Sequence, residues 1–216
     1  MAGEGEGGAR GASRTLPRIG LDGAARVGAP AGKGEDGAAV VRGRAVIFGG
    51  TFDPIHVAHL VLGECASELP GVSEVLFVPA ARPPHKREEE ISGAADRARM
   101  VLLAIDGNAR FRFSPIEIDR RGPSFAIDTI REVAEKSGAR PFYLIGADSL
   151  FDLPLWRSPE AILEEAEVIV AERPGAEALE TSVLGGRVGR ISAPRIDLSS
   201  TEIRARAGRG ASIRYL

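Results

Sequence analysis

From residue 44 onward the apolar residues follow two rhythms that take turns along the chain. Short runs rich in β-branched residues at 45–48, 72–78, 141–145 and 168–171 read as buried strands, with a looser alternation at 111–118 and a brief run at 190–192. Between them, apolar positions at helical spacing predict helices over 57–69, 94–105 and 124–136, the last with Ser124 as its N-cap. Hydroxyls at Ser199 and Ser200 mark the start of a final helix. Strands alternating with helices predict the α/β class, a Rossmann-like doubly wound parallel sheet with helices on both faces. Ligands of such open sheets bind beyond the carboxyl ends of the strands, where Gly49, Pro79 and Gly146 all fall.

The rhythm is absent before residue 44. That segment holds 12 of the 27 glycines and no aromatic residue, so it cannot bury enough surface to offset its ordering entropy. Residues 1–43 are therefore expected to be a disordered Gly/Ala-rich extension, or the product of a start codon set too far upstream, and residues 44–216 the folded domain. A chain of 216 residues with 44% hydrophobic content bounds the domain count at one or two. Its net charge of −2 gives none of the basic excess of a duplex nucleic-acid binder. No apolar run reaches the roughly 18 residues of a membrane span, and the N-terminus lacks the continuous apolar core of a secretory signal. These features point to a cytoplasmic protein without nucleic-acid or membrane partners. Cys65 is the single cysteine and sits in the apolar pattern after His59, which predicts a buried structural thiol.

Three clusters carry chemistry. The run 45–48 ends in Gly49 and Gly50, where the backbone must come close to something, and Thr51, Phe52, Asp53 and Pro54 lead into a helix start bearing His56 and His59. Two imidazoles three residues apart share a face there, beside free backbone N–H groups that already favour an anion. A zinc pair is possible at this spacing, but no third ligand lies nearby in sequence. The second cluster is Pro83-Pro84-His85-Lys86, in which a stiff diproline offers Lys86 as a cation near a substrate phosphate. The third is Ser199-Ser200-Thr201-Glu202-Ile203-Arg204. Capping explains one serine, and the remaining hydroxyls with Arg204 suit the β- and γ-phosphates of a nucleotide. Mg²⁺ would enter with the nucleotide, because it prefers phosphate oxygens and water to a full protein cage.

The first cluster resembles the nucleotidylyltransferase superfamily, marked by a GTFDP-like turn and a His-x-Gly-His tetrad that handles the triphosphate of ATP. Ala58 stands where that tetrad has glycine. The third cluster is similar to the superfamily's I-S-S/A-T-x-I-R signature, with Leu198 in the isoleucine place. Three more segments resemble bacterial nicotinate-nucleotide adenylyltransferases. They are the strand, Gly146-Ala147-Asp148 turn and Trp156; the block Ser124-Phe125-Ala126-Ile127-Asp128-Thr129; and the strand leading to Arg173-Pro174-Gly175.

The resemblance implies adenylyl transfer from ATP to nicotinate mononucleotide, giving nicotinic acid adenine dinucleotide and pyrophosphate in NAD biosynthesis. It implies ATP contacts from Gly49, Gly50, Thr51, Phe52, His56, His59, Gly146, Asp148, Ser199, Ser200, Thr201 and Arg204, with His56, His59 and Arg204 catalytic. Lys86, Ala126 and Trp156 would meet the acceptor, although Trp156 by its residue type alone fits a core as well as a stacking surface. A homo-oligomer is compatible with the family. Its members continue beyond the position of Leu216, so the C-terminus is expected to be short. The alternatives are an adenylyltransferase acting on nicotinamide mononucleotide or phosphopantetheine, and a nucleotide-binding protein without turnover.

Overall fold

The computed structural model describes residues 43–83, 91–120, 122–172 and 187–216. Among them, six strands form one all-parallel sheet: β1 (Arg44–Gly50), β2 (Val72–Pro79), β3 (Phe111–Phe113), β4 (Phe142–Gly146), β5 (Glu167–Glu172) and β6 (Val188–Ser192). The helices are α1 (Val57–Ser67), α2 (Ala94–Ile105), α3 (Ile116–Asp119), α4 (Ala126–Ser137), α5 (Ala147–Asp152), α6 (Pro159–Glu165) and α7 (Ser200–Gly208). The sheet order is β3-β2-β1-β4-β5-β6. Connections therefore run one way from β1 to β3 and the other way from β4 to β6. The reversal between β1 and β4 opens a crevice at their carboxyl ends, the binding position of doubly wound sheets.

Each strand feeds two cores because successive side chains point to opposite faces. Ala45, Ile47, Leu76, Val78, Tyr143, Ile145, Val168 and Val170 meet one layer, which includes α4, α5 and α6. Val46, Phe48, Val75, Phe77, Phe142, Leu144, Ile169 and Ala171 meet the other, which includes α1 and α2. Burial on both sides is why these strands read as continuous apolar runs in the sequence.

The expected parallel sheet, its strands at 45–48, 72–78, 141–145, 168–171 and 190–192, and the helix over 94–105 all appear, with ends shifted by a residue or two. Two readings are corrected. The alternation at 111–118 is not one strand: it stops at Phe113, and after Pro115, which has no N–H for the ladder, the chain turns into α3. Ser124 is not the N-cap of α4. Phe125 holds that position, while the Ser124 hydroxyl accepts the N–H groups of Ala81 at 3.0 Å and Arg82 at 3.3 Å. The predicted helix at 57–69 ends at Ser67, and the short helices α5 and α6 lie below the length at which periodicity is readable. The extension called for residues 1–43 lies, save Gly43, outside the described residues. No helix of the described residues is long and apolar enough to cross a membrane.

Gly63 lets α1 lie close to the sheet, since a Cβ there would stand 2.8 Å from Phe77 Cζ and 3.1 Å from Phe111 Cζ. Gly63→Val is expected to lower unfolding free energy by about 1–3 kcal/mol through overpacking, as measured by chemical denaturation.

Candidate active site

The site is built on the turn after β1. Phe52 adopts a left-handed backbone with φ of 49°, and only 2% of it is exposed. Its ring packs edge-on against Phe48 at 5.6 Å and His59 at 5.1 Å between centroids, so core packing holds a conformation that costs energy on its own. A Cβ on Gly50 would come within 2.9 Å of the Phe52 ring, and one on Gly49 within 3.2 Å of Tyr143 Oη. The close approach signalled by the two glycines is thus partly to the protein's own rings. Gly146, exposed at the end of β4, has open space where its Cβ would lie, so no protein contact dictates glycine there.

The turn delivers both imidazoles. His56 is the N-cap of α1 and His59 its third residue, and the rings lie against each other at a 34° tilt with centroids 3.8 Å apart. The His56 backbone N–H donates to His59 Nδ1 at 3.2 Å. That bond fixes the neutral tautomer of His59 with its proton on Nε2, ready to donate. Burial, and then the neighbouring His56, lower the His59 pKa to about 3, while burial lowers that of His56. The His56 Nδ1 is itself buried without a hydrogen-bond partner among the described residues.

The third sequence cluster docks on this same turn from the far end of the chain. Arg204 Nη1 donates to the Asp53 carbonyl at 2.7 Å, and the Ser200 hydroxyl donates to the Pro54 carbonyl at 2.8 Å. Ser199 caps α7 by accepting the Glu202 N–H at 3.1 Å, and Thr201 Oγ1 accepts from Arg204 Nη2 at 3.3 Å. Capping and docking therefore account for both serines and part of Arg204. The first N–H groups of α7, at Ser200 and Thr201, have no intrahelical acceptor by geometry, and 42% of the Arg204 side chain remains exposed.

On the opposite side of β1, half-buried Trp156 lies edge-on to Tyr143 at 6.2 Å. Arg157 stacks over the Phe125 ring at 4.7 Å and pairs with Asp128 at 3.4 Å, joining the Trp156 turn to the start of α4, where Ala126 is the first residue. Asp148 is the second residue of α5, and its side chain is outside the described residues, as is Lys86. Cys65 is half-buried rather than fully buried, and burial followed by Glu68 pushes its thiol pKa up. Among the described residues no three His, Cys, Asp or Glu side chains gather where they could hold a metal ion.

Sequence reasoning missed two buried charges. Arg97 is 0% exposed, and Glu117 accepts a 2.7 Å bond from Thr129 while burial pushes its pKa up. The signal for Arg97 was available, since it stands at four-residue spacing with Val101 and Ile105 on the buried face of α2.

A family model described as cytidylyltransferase-like matches residues 47–206. A protein of Rubrobacter xylanophilus named as a probable nicotinate-nucleotide adenylyltransferase is 40% identical over 181 residues, covering 80% of this chain and 85% of its own. One of Exiguobacterium sibiricum with the same name is 42% identical over 171 residues, covering 79% and 89%. The chain belongs to the nicotinate-nucleotide adenylyltransferase family. Its fold agrees with the Plasmodium falciparum nicotinic acid mononucleotide adenylyltransferase solved with NaAD, at a TM-score of 0.63 and 20% identity over 79% of this chain and 87% of that one. The family is one of ATP-using nucleotidyltransferases, and the two sequence signatures of its superfamily meet here at one end of the sheet.

Because the folded His59 pKa lies below the unfolded value of 6.5, the unfolded chain binds more protons between those limits. The contribution of His59 to stability is complete above pH 6.5 and is lost as pH falls toward 3. His59→Gln is expected to flatten the stability profile over that window relative to wild type, as read by urea denaturation at a series of pH values.

Proposed function

We propose that the chain transfers the adenylyl group of ATP to nicotinate mononucleotide. The observation that carries this reading is the docking of α7 on the turn after β1, which brings Arg204, two helix starts and the two histidines to one place. A 5′-phosphate oxygen of the acceptor attacks the α-phosphorus in line. The new P–O bond forms as the bond to the β-phosphate oxygen breaks, and pyrophosphate leaves without a covalent enzyme intermediate.

The protein's part is positioning and charge stabilisation. His59 Nε2–H and His56 donate to ATP phosphate oxygens, with Gly49, Gly50, Thr51 and Phe52 shaping the floor. Arg204 and the α7 start capped by Ser199, with its free N–H groups at Ser200 and Thr201, receive the leaving pyrophosphate. Gly146 and Asp148 face the nucleoside, with Asp148 accepting from a ribose hydroxyl. Trp156 stacks on the pyridine ring, the start of α4 at Ala126 suits its carboxylate, and Lys86 offsets the acceptor phosphate. Mg²⁺ would enter with ATP and supply charge neutralisation there, since this ion prefers phosphate oxygens and water to a full protein cage. We place the reaction in the cytoplasm, with small molecules rather than nucleic acid as partners, and a homo-oligomer is compatible with it.

The test incubates the purified chain with Mg²⁺ and ATP plus nicotinate mononucleotide, nicotinamide mononucleotide or phosphopantetheine in turn, following pyrophosphate and product mass. The nicotinate compound is expected to be the preferred acceptor, and preference for either other would reassign the substrate. His59→Ala is expected to lower kcat by roughly 10²–10³.

A further inference from the structure

We propose that Arg97 is a positioning residue for the transfer, a single guanidinium that fixes the nucleotide turn after β1 relative to the chain that leaves β2. Its Nη1 donates to the Thr51 carbonyl at 2.7 Å, its Nε to the Ser92 carbonyl at 2.9 Å and its Nη2 to the Ala81 carbonyl at 3.3 Å. Thr51 lies in the turn that bears the histidines. Ala81 lies shortly after β2 and Ser92 shortly before α2, and Lys86 falls between them in sequence.

The stitching runs both ways. Asp53, 3% exposed and in the same turn as Thr51, accepts the Ser92 N–H at 3.2 Å, so Ser92 gives its carbonyl to Arg97 and its N–H to Asp53. The Asp53 carbonyl in turn accepts from Arg204. One buried fork thus joins three segments, with the Asp53–Ser92 bond as a second tie between two of them. Burying a guanidinium in the middle of them is costly, and the Asp53 charge offsets part of that cost. A hydrophobic side chain at this place in α2 would avoid that cost but leave three carbonyls without their donor, so the residue is explained by what its three directional bonds hold rather than by burial alone.

The inference rests on the reading that the turn binds ATP and the chain after β2 meets the acceptor. In-line transfer between two bound substrates is sensitive to their separation, and a misplacement of about 1 Å costs on the order of 10²-fold in rate. Lysine at this position has no planar fork and cannot reach three divergent carbonyls in the same geometry.

The experiment compares wild type, Arg97→Lys and Arg97→Ala in full-length protein. Folded fraction is measured by circular dichroism, binding of ATP and of nicotinate mononucleotide separately by calorimetry, and kcat per folded molecule by product formation. Arg97→Lys is expected to bind each substrate alone nearly as wild type does while kcat falls about 100-fold. Millimolar guanidinium is expected to restore Arg97→Ala in part, where equal sodium chloride does not. A kcat per folded molecule equal to wild type in Arg97→Lys overturns the proposal and leaves Arg97 a stability residue. Should Arg97→Ala not fold, Arg97→Lys, whose stem fills most of the same space, decides the matter alone. A wild-type chain with no turnover on any acceptor overturns the functional reading and this inference together, whereas a working wild type with an indifferent lysine variant overturns only the role of Arg97.

Discussion

The turn at residues 51–54 lies between two guanidinium groups, and the geometry of the site depends on that grip. Arg97 holds it from within the protein and Arg204 from the start of α7, with the buried Asp53 carboxylate between them. The inner arginine and the aspartate offset each other out of contact with water. The outer arginine, partly exposed, also stands 4.0 Å from the Asp53 carboxylate, so two guanidinium groups share one carboxylate and the trio keeps a net positive charge. On the proposed reading an incoming polyanion meets a positive field whose source is already anchored, so little reorganisation is needed when phosphate arrives.

The histidines complement this charge in a different way. With centroids 3.8 Å apart, His56 buried and His59 half-buried, the two rings are disfavoured from carrying positive charge together, and burial disfavours even one. On the proposed reading they act as neutral hydrogen-bond donors, with the His59 tautomer fixed by the His56 backbone N–H. On that reading attraction of ATP falls to Arg204 and the helix dipoles, while the imidazoles supply direction at short range. This division makes the donor strength of the site insensitive to pH near neutrality.

The parallel sheet was legible because both faces of its strands are buried, which turns each into an unbroken apolar run such as Ala45, Val46, Ile47, Phe48. The segment after Phe113 was not, because its alternation is local and a proline overrides it, and Ser124 misled because its hydroxyl serves a tertiary bond to Ala81 and Arg82 instead of a cap. At the site, the turn after β1 and the start of α7 could be read as anion-handling from residue types alone. That they touch could not, since Arg204 and Asp53 are 151 residues apart and nothing local encodes their bond. Arg97 escaped for the opposite reason: on a helix a charged residue reads as solvated unless its position on the apolar face is weighed above its charge.

Phe52 belongs at once to the nucleotide turn and to the core beneath α1 and α2. Its strained backbone persists only while Phe48, Phe77 and His59 enclose its ring, so the turn has no loose state of its own short of opening that core. Most surface loops fray at a free-energy cost far below that of global unfolding. Here the two costs are coupled through the shared core, so the turn is expected to open with the domain rather than before it.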